Sequence, residues 1–222
     1  SQLGFALRDR TITVLDHPLN HHHGRAPQLR LWGLEADALP RGPLLVVAGP
    51  SDLPPRDQLG RWHALCARLG PLPPPRVVQV DHGRQRFLLF ALPQGARPGG
   101  ACIAPAMGYI DAPGAGDTVG RTFEVSGWAI KDGAGIASVE VLLDGAVVAR
   151  AEYGLPNPGV AGYWLRVRAG GSTDPNHPDV GFRARVSLPD ATPAGRHWLG
   201  LRLRGRDGSV EDWGPEHPVE VL

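Results

Sequence analysis

The densest run of chemistry-bearing side chains is Asp16-His17-Pro18-Leu19-Asn20-His21-His22-His23-Gly24-Arg25. Three consecutive histidines suggest a metal. Successive side chains diverge, however, and zinc sites draw on spaced ligands such as His-x-x-x-His. The run therefore reads as a polar docking loop, and no metal is assigned. A second polar stretch, Gly154 to Asp179, carries Tyr163, Trp164, Arg166 and Arg168. Aromatic and arginine side chains in a long loop suit sugar stacking or partner contact, so Tyr163, Trp164 and Arg166 are candidates for holding a glycan or a partner. Further along, Asp174, Asn176 and Asp179 offer oxygen atoms of the kind Ca²⁺ takes, although that ion needs about six to eight ligands. The plainer reading is that Asp, Asn and Pro build successive turns there.

No familiar catalytic pattern accompanies these runs. Gly-x-Ser-x-Gly, His-Glu-x-x-His and the Walker phosphate loop do not occur. Gly114 to Gly120 departs by one residue from dinucleotide spacing and precedes a strand instead of a helix. No catalytic residue and no cofactor is assigned. The net charge of +1 gives no pull towards nucleic acid or anionic lipid. Lys131 is the only lysine among the 23 basic residues. A GC-rich genome accounts for that bias, as would phosphate binding, since guanidinium makes two-pronged contacts with phosphate. No apolar run reaches the ~20 residues of a membrane helix. The opening Ser1-Gln2-Leu3-Gly4-Phe5-Ala6-Leu7 reads as the interior of a helix, which suggests a piece of a larger protein.

The elements that must position these side chains change character near Gly99-Gly100. Before it, helix and strand alternate. Thr11–Leu15 reads as a strand and Ala26–Leu34 as a helix with Pro27 in its first turn. Leu44–Ala48 is a continuous apolar run, as in a strand covered on both faces. Arg56–Leu69 carries Leu59, Trp62, Leu65, Cys66 and Leu69 on one helical stripe. Val77–Val80 and Gln85–Ala91 are strands joined by Asp81-His82-Gly83-Arg84, which has hairpin chemistry. This order predicts a small α/β sandwich with a mixed sheet over residues 1–93. After a linker, 94–105, residues 106–222 alternate as short strands. These are Met107–Asp111, Phe123–Ile130, Ile136–Leu143, Ala146–Glu152, Val180–Leu188, His197–Arg204 and Pro218–Leu222. Asp144-Gly145 and Asp207-Gly208 mark turns. About seven strands predict an all-β immunoglobulin-like sandwich, with Trp128 in its core. Cys66 and Cys102 are the only cysteines. They could pair in an oxidising compartment, but Cys66 on an apolar helix face reads more simply as a buried thiol.

The segment Leu3 to Phe90 resembles the soluble C-terminal portion of bacterial polytopic glycosyltransferases of the dolichyl-phosphate-mannose and aminoarabinose transferase type. Its carrying residues are Gln2 to Leu7, Val14 to Asn20, His23 to Trp32 and Arg86 to Phe90. The second part is similar to immunoglobulin-like domains appended to bacterial surface and sugar-transferring proteins, through Val125 to Ala129, Val139 to Gly145, Val180 to Phe182 and Gly195 to His197. The first resemblance implies a lipid-phosphate-linked sugar donor, a bundle of membrane helices upstream and a location on the periplasmic or extracytoplasmic face of the inner membrane. It also implies catalytic carboxylates in an early external loop that this sequence does not include. The chain by itself is then inactive, with Asp16, Asn20, His23, Arg25 and Gln28 facing the substrate. The competing expectation is a carbohydrate-binding or adhesion module of the cell envelope, without enzymatic activity. A self-contained hydrolase lacks its nucleophile motif.

Overall fold

The computed structural model describes residues 6–9, 11–16, 18–36, 39, 41–49, 55–160, 173–214 and 216–222. The chain falls into two compact units, Ser1–Gly42 and Pro43–Leu222. In the first unit, helix α1 (Pro18–His22) is followed by α2 (Ala26–Leu31). The strand expected over 11–15 reduces to a single parallel bridge between Val14 and Glu35. Helix α2 stops three residues short of the expected Leu34. Gly33 takes a left-handed φ of 63°, and Gly33 N–H and Leu34 N–H donate back to the carbonyls of Arg30 and Leu29. That double bond is the Schellman stop, and it satisfies carbonyls that would otherwise end the helix unpaired.

The second unit is mostly β. It opens with β1 (Leu44–Ala48), α3 (Pro55–Leu69), β2 (Arg76–Val80) and β3 (Gln85–Leu92). The sheet order is β1-β3-β2, and both pairings are antiparallel. This corrects the expected mixed sheet. Helix α3 links two strands that run the same way, but β3 returns through the Asp81–Arg84 turn and inserts between them. The apolar run of β1 was expected to be covered twice. It lies instead on an edge, with Leu45 64% and Val47 42% exposed. Only the other face of the sheet is covered. There Leu88, Phe90 and Leu92 are buried, and Phe90 meets Trp62 of α3 edge to face at 5.9 Å between ring centres. The stripe Leu59, Trp62, Leu65, Cys66 and Leu69 is buried as its spacing predicts.

Ten further strands follow: β4 (Met107–Ala112), β5 (Thr118–Val119), β6 (Thr122–Ile130), β7 (Ile136–Leu143), β8 (Ala146–Arg150), β9 (Glu152–Leu155), β10 (Gly181–Ser187), β11 (Gly195–Gly205), β12 (Val210–Trp213) and β13 (Pro218–Val221). One sheet has the order β4-β6-β10-β9 and the other β5-β13-β11-β7-β8, with β12 also paired to β11. Alternation sends Val125 and Ala129 of β6, Phe182, Ala184 and Val186 of β10, and Leu199, Leu201 and Leu203 of β11 into the core. Trp128 belongs to the opposite face of β6. It is half-buried and stacks on Tyr109 of β4, which corrects its expected core position. The Asp144-Gly145 turn has φ of 50° and 83° at its two central residues, the left-handed pair that a tight hairpin requires.

Segment 94–105, expected to be a linker, is knitted to both sides. Arg97 N–H donates to the Leu69 carbonyl at 2.7 Å, and Ala104 N–H donates to the Asp132 carbonyl at 3.0 Å. A Cβ on Gly70, where φ is 92°, would lie 2.0 Å from the Arg97 carbonyl oxygen. Only glycine ends α3 there. Cys66 and Cys102 form a disulfide with their Cα atoms 5.6 Å apart, in place of the expected free thiol. The return of the chain past the last turns of α3 brings Cys102 to the helix, and no local pattern announces that approach.

Charged groups are buried beside this bond. Lys131 and Glu211 are 1% and 3% exposed and form an ion pair, with Asp207 3.6 Å from the same ammonium. Glu211 Oε2 also accepts from Ala106 N–H at 2.9 Å. Asp132 accepts from His63 of α3 at 2.7 Å with one oxygen and from Thr173 N–H at 2.6 Å with the other. Arg86 of β3 lies 3.4 Å over the ring of Trp213. Burial lowers its guanidinium to about 10, opposed by the charge of Glu211, and it stays protonated at neutral pH.

Two outcomes follow from this junction. Reducing the disulfide should cost about 3–4 kcal/mol, the loop-closure entropy of its 36-residue separation. Urea unfolding with and without reductant, and of the Cys66→Ser/Cys102→Ser double variant, measures that cost; unchanged midpoints would show that the noncovalent contacts suffice. Lys131→Met leaves Glu211 buried without its cation and should cost about 3–5 kcal/mol, most of it recovered when Glu211→Met is added. The same unfolding curves test this, and a single variant as stable as wild type would refute it.

Candidate functional site

Two places gather polar side chains. The first is the loop around α1 in the Ser1–Gly42 unit. His21 Nε2 lies 2.7 Å from Asp16 Oδ1, and Arg30 Nε donates to Glu35 Oε2 at 2.7 Å. Ligand atoms of Asp16, His21 and Glu35 fall within 4.8 Å of one another. Arg30 already neutralises Glu35, so the arrangement is a small ion-pair cluster that a cation would have to break. The three histidines diverge: His21 turns to Asp16 while His22 and His23 meet edge to face at 5.1 Å. Of the residues expected to face substrate, Asp16, His23, Arg25 and Gln28 are exposed and Asn20 is half-buried. Asp16 is drawn to His21, and Glu35 to Arg30, pairings the sequence did not single out.

Tyr163, Trp164 and Arg166 lie outside the described residues. Of the three side chains with oxygen atoms suited to Ca²⁺, for which turn-building is the plainer reading, Asp174 and Asn176 are engaged by backbone. Asp174 is buried and accepts from Lys131 N–H at 2.6 Å and from Asn176 N–H at 2.8 Å. Asn176 Oδ1 accepts from Ile136 N–H at 3.0 Å. Desolvation raises the pKa of Asp174, and the two amide donors oppose that rise. This is turn-building, in which the side chains replace peptide partners.

The second place is a cleft of about 530 Å³ in the Pro43–Leu222 unit, between β2 with its following turn and the outer face of β7 and β11. Val77 and Leu142 supply apolar lining beside Trp198, and Gln79, Asp144 and Asp212 supply polar groups. His82, at the tip of the β2–β3 turn, stacks on Trp198 with ring centres 3.6 Å apart and planes 8° from parallel. His82 can reach Trp198 because Asp81, His82 and Gly83 all hold left-handed φ, at 53°, 51° and 88°. Gln79 Nε2 donates to the Asp212 carbonyl at 3.3 Å and ties the hairpin to β12. Asp144 Oδ1 accepts from Trp198 N–H at 2.9 Å, and its Oδ2 lies 2.6 Å from His197 Nδ1. A neighbouring hollow of about 330 Å³ is lined by Arg76, Val77, Arg202, Arg204 and Asp212. None of Trp198, His82 and Arg76 was singled out in the sequence, because their meeting depends on strands more than a hundred residues apart.

His197 has both ring nitrogens engaged, by Asp144 and by the Pro193 carbonyl 2.9 Å away. The Asp144 hydrogen bond is the main cause that raises its pKa above the ordinary 6.5, partly opposed by burial.

No protein-family model and no curated protein sequence matches the chain. Solved structures give distant likenesses. One is to the fibronectin(III)-like modules of CbhA from Clostridium thermocellum, at 17% identity and a TM-score of 0.31, over 52% of this chain and 46% of that one. The match thus spans less than half of that chain. Another is to CopC from Methylosinus trichosporium OB3b, at 15% identity and a TM-score of 0.25, over 52% and 93%. A third is to a chimeric titin Z1Z2 tandem, at 13% identity and a TM-score of 0.26, over 82% and 84%.

The His197–Asp144 pair makes a pH prediction. Folding raises the histidine pKa, so its stabilisation is complete below about 6.5 and is lost as pH rises through the folded value. Thermal midpoints across pH 5–9 should fall over that window in wild type, and this component should vanish in Asp144→Asn. An identical pH dependence in the two proteins would assign the fall to other groups.

Proposed function

We propose that this chain is a non-catalytic, extracytoplasmic portion of a membrane glycosyltransferase that uses a lipid-phosphate-linked sugar, in which an α/β part precedes an immunoglobulin-like sandwich. Its role is to assist substrate binding or to present the acceptor. The observation that carries the compartment is the Cys66–Cys102 bond. It commits both cysteines of the chain, and such bonds persist where the surroundings are oxidising. The resemblance of Leu3 to Phe90 supports the enzyme class. A non-catalytic role is supported by the way the polar groups are spent: Asp132, Asp174 and Asn176 on backbone amides and His197 on two fixed acceptors. Among the described residues, no helix is long and apolar enough to cross a membrane, so on this reading the attachment lies in the parent protein.

The cleft at Trp198 favours a second reading, a carbohydrate-binding module of the cell envelope without enzymatic activity. Small-ligand sites are typically clefts of roughly 300–1,000 Å³ with mostly apolar walls and a few polar groups, and this one has that build.

The two readings part on one assay. The parent protein, purified with its membrane portion, should transfer sugar from a polyprenyl-phosphate donor, and the isolated chain should transfer none. Failure of transfer from every such donor would sink the glycosyltransferase reading. In cells, a maleimide polymer added to denatured protein should label Cys66 and Cys102 only after reduction. Labelling before reduction would remove the compartment argument.

A further inference from the structure

The hollows at Trp198 and at Arg76 share Val77 and Asp212. They are therefore one groove running along β2, with β11 and β12 as its opposite wall. Its two ends differ in chemistry. One end is the stacked pair of His82 and Trp198, in which each ring covers one face of the other and leaves its second face and edges for a further ring. The other is a cluster of three guanidinium groups, Arg76, Arg202 and Arg204.

Their charges are unequally matched. Arg202 is held by both oxygens of Asp212, at 2.7 and 2.9 Å. Arg204 reaches Glu140 at 3.2 Å. Arg76 is exposed at the start of β2, and among the described residues no acidic side chain lies within ion-pair distance of it. The cluster thus keeps one positive charge to spend on a ligand. At the aromatic end, Asp144 is paired with His197, and Gln79 adds an amide on the wall between the two ends.

We propose that this groove binds an acidic saccharide, with one ring packed against the Trp198–His82 wall and its carboxylate or phosphate on Arg76. The apolar faces of a sugar ring suit a flat aromatic surface, and hydroxyl groups suit the amide of Gln79 and the oxygens along β12. A guanidinium pairs with either acidic group in the same two-pronged way. A nucleotide polyphosphate fits less well. It would bring several negative charges to one unmatched cation, close to Asp212 and Asp144. The sugar identity of the ligand rests on the sugar-handling reading above, whereas the site rests on geometry alone.

The test is an array of microbial glycans carrying uronic acid, phosphorylated and neutral members, followed by calorimetric titration of the strongest ligand. The intact chain should bind acidic members and not their neutral counterparts. Arg76→Glu and Trp198→Ala should each weaken binding by about tenfold or more, and added salt should weaken it as well. His82→Ala, at an exposed turn, provides a second aromatic-end variant should Trp198→Ala unfold, and circular dichroism checks each fold. A carboxylate arm and a phosphate arm of the same sugar decide which anion Arg76 takes. No array signal, equal binding of neutral glycans, binding untouched by Arg76→Glu, or preference for a nucleoside diphosphate over every glycan would each overturn the proposal. A parent protein that transfers sugar while this groove binds nothing would remove the groove and leave the proposed function standing; acidic-glycan binding without transfer would do the reverse.

Discussion

Lys131, Asp132 and Glu211 are buried charges on the sandwich, and satisfying them dictates how the helix layer and the sandwich meet. A buried charge without a partner is costly enough to unfold a domain of ordinary stability. Glu211 answers Lys131 and the Ala106 amide, and Asp132 answers His63 and the Thr173 amide. His63 belongs to α3, so its hydrogen bond to Asp132 specifies which part of the helix lies against the β6–β7 turn. The disulfide from Cys66, three residues further along the same helix, holds the same place covalently. The turn also runs close against the chain at Cys102: a Cβ on Gly133, where φ is 84°, would lie 2.2 Å from the Cys102 carbonyl oxygen, so only glycine fits there.

The groove is a consequence of that junction. With α3 fixed, the covered face of the β1-β3-β2 sheet is shared between two neighbours. Phe90 packs on Trp62 of the helix, and Arg86 packs on Trp213 of β12. Strand β2 lies one strand beyond β3, and its contacts with β12 are few. Gln79 bridges the gap to the Asp212 carbonyl and His82 bridges it to Trp198, with open space between and beside them. A helix set one turn differently would either close this trough or pull its walls apart. Any ligand bound there would contact both layers, and its binding would be coupled to the integrity of the junction.

Much of the local structure was legible because it depends on spacing within one element. The buried stripe of α3 follows from apolar positions at helical intervals, and β4, β6, β7, β8, β10, β11 and β13 follow from alternation and from Asp-Gly turns, whereas the short strands β5 and β12 were not expected and the expected strand 146–152 divides into β8 and β9. What failed was long-range. The apolar run of β1 signals a strand but does not distinguish a doubly covered strand from an exposed edge, which is decided by where β3 inserts. Cys66 reads as core because it is core, and the arrival of Cys102 carries no local signal. The core position expected of Trp128 follows from the immunoglobulin-like reading and not from its own strand pattern. The alternation Val125, Gly127, Ala129 was available to show that it belongs to the other face. At the candidate sites, Asp16 was legible as polar and exposed, whereas its pairing with His21 depends on the turn into α1, and the approach of Glu35 depends on the return of the chain after α2. Arg76, His82 and Trp198 are individually bland, and only the pairing of distant strands gives them a common space.

The basic residues bring these strands of argument together. Four arginines near the sandwich surface stand beside a carboxylate: Arg183 by Glu124, Arg196 by Glu220, Arg202 by Asp212 and Arg204 by Glu140. Exposed pairs of this kind contribute little to stability, so their main effect is to cancel charge locally, in keeping with the net charge of +1. Compositional bias is then enough to account for arginine at those positions. Lys131 stands outside the pattern. Its stem runs against Gly205, where an added Cβ would lie 2.9 Å from Lys131 Cδ, and its ammonium meets two carboxylates in a space closed to water. A compact point charge on a slender chain fits that slot, whereas a planar fork with five donors would leave several unsatisfied. The one position where the chain departs from arginine is thus the position where packing overrides composition. The one arginine of the groove that lacks a neutralising neighbour, Arg76, is the position where composition and packing both leave a charge available to something else.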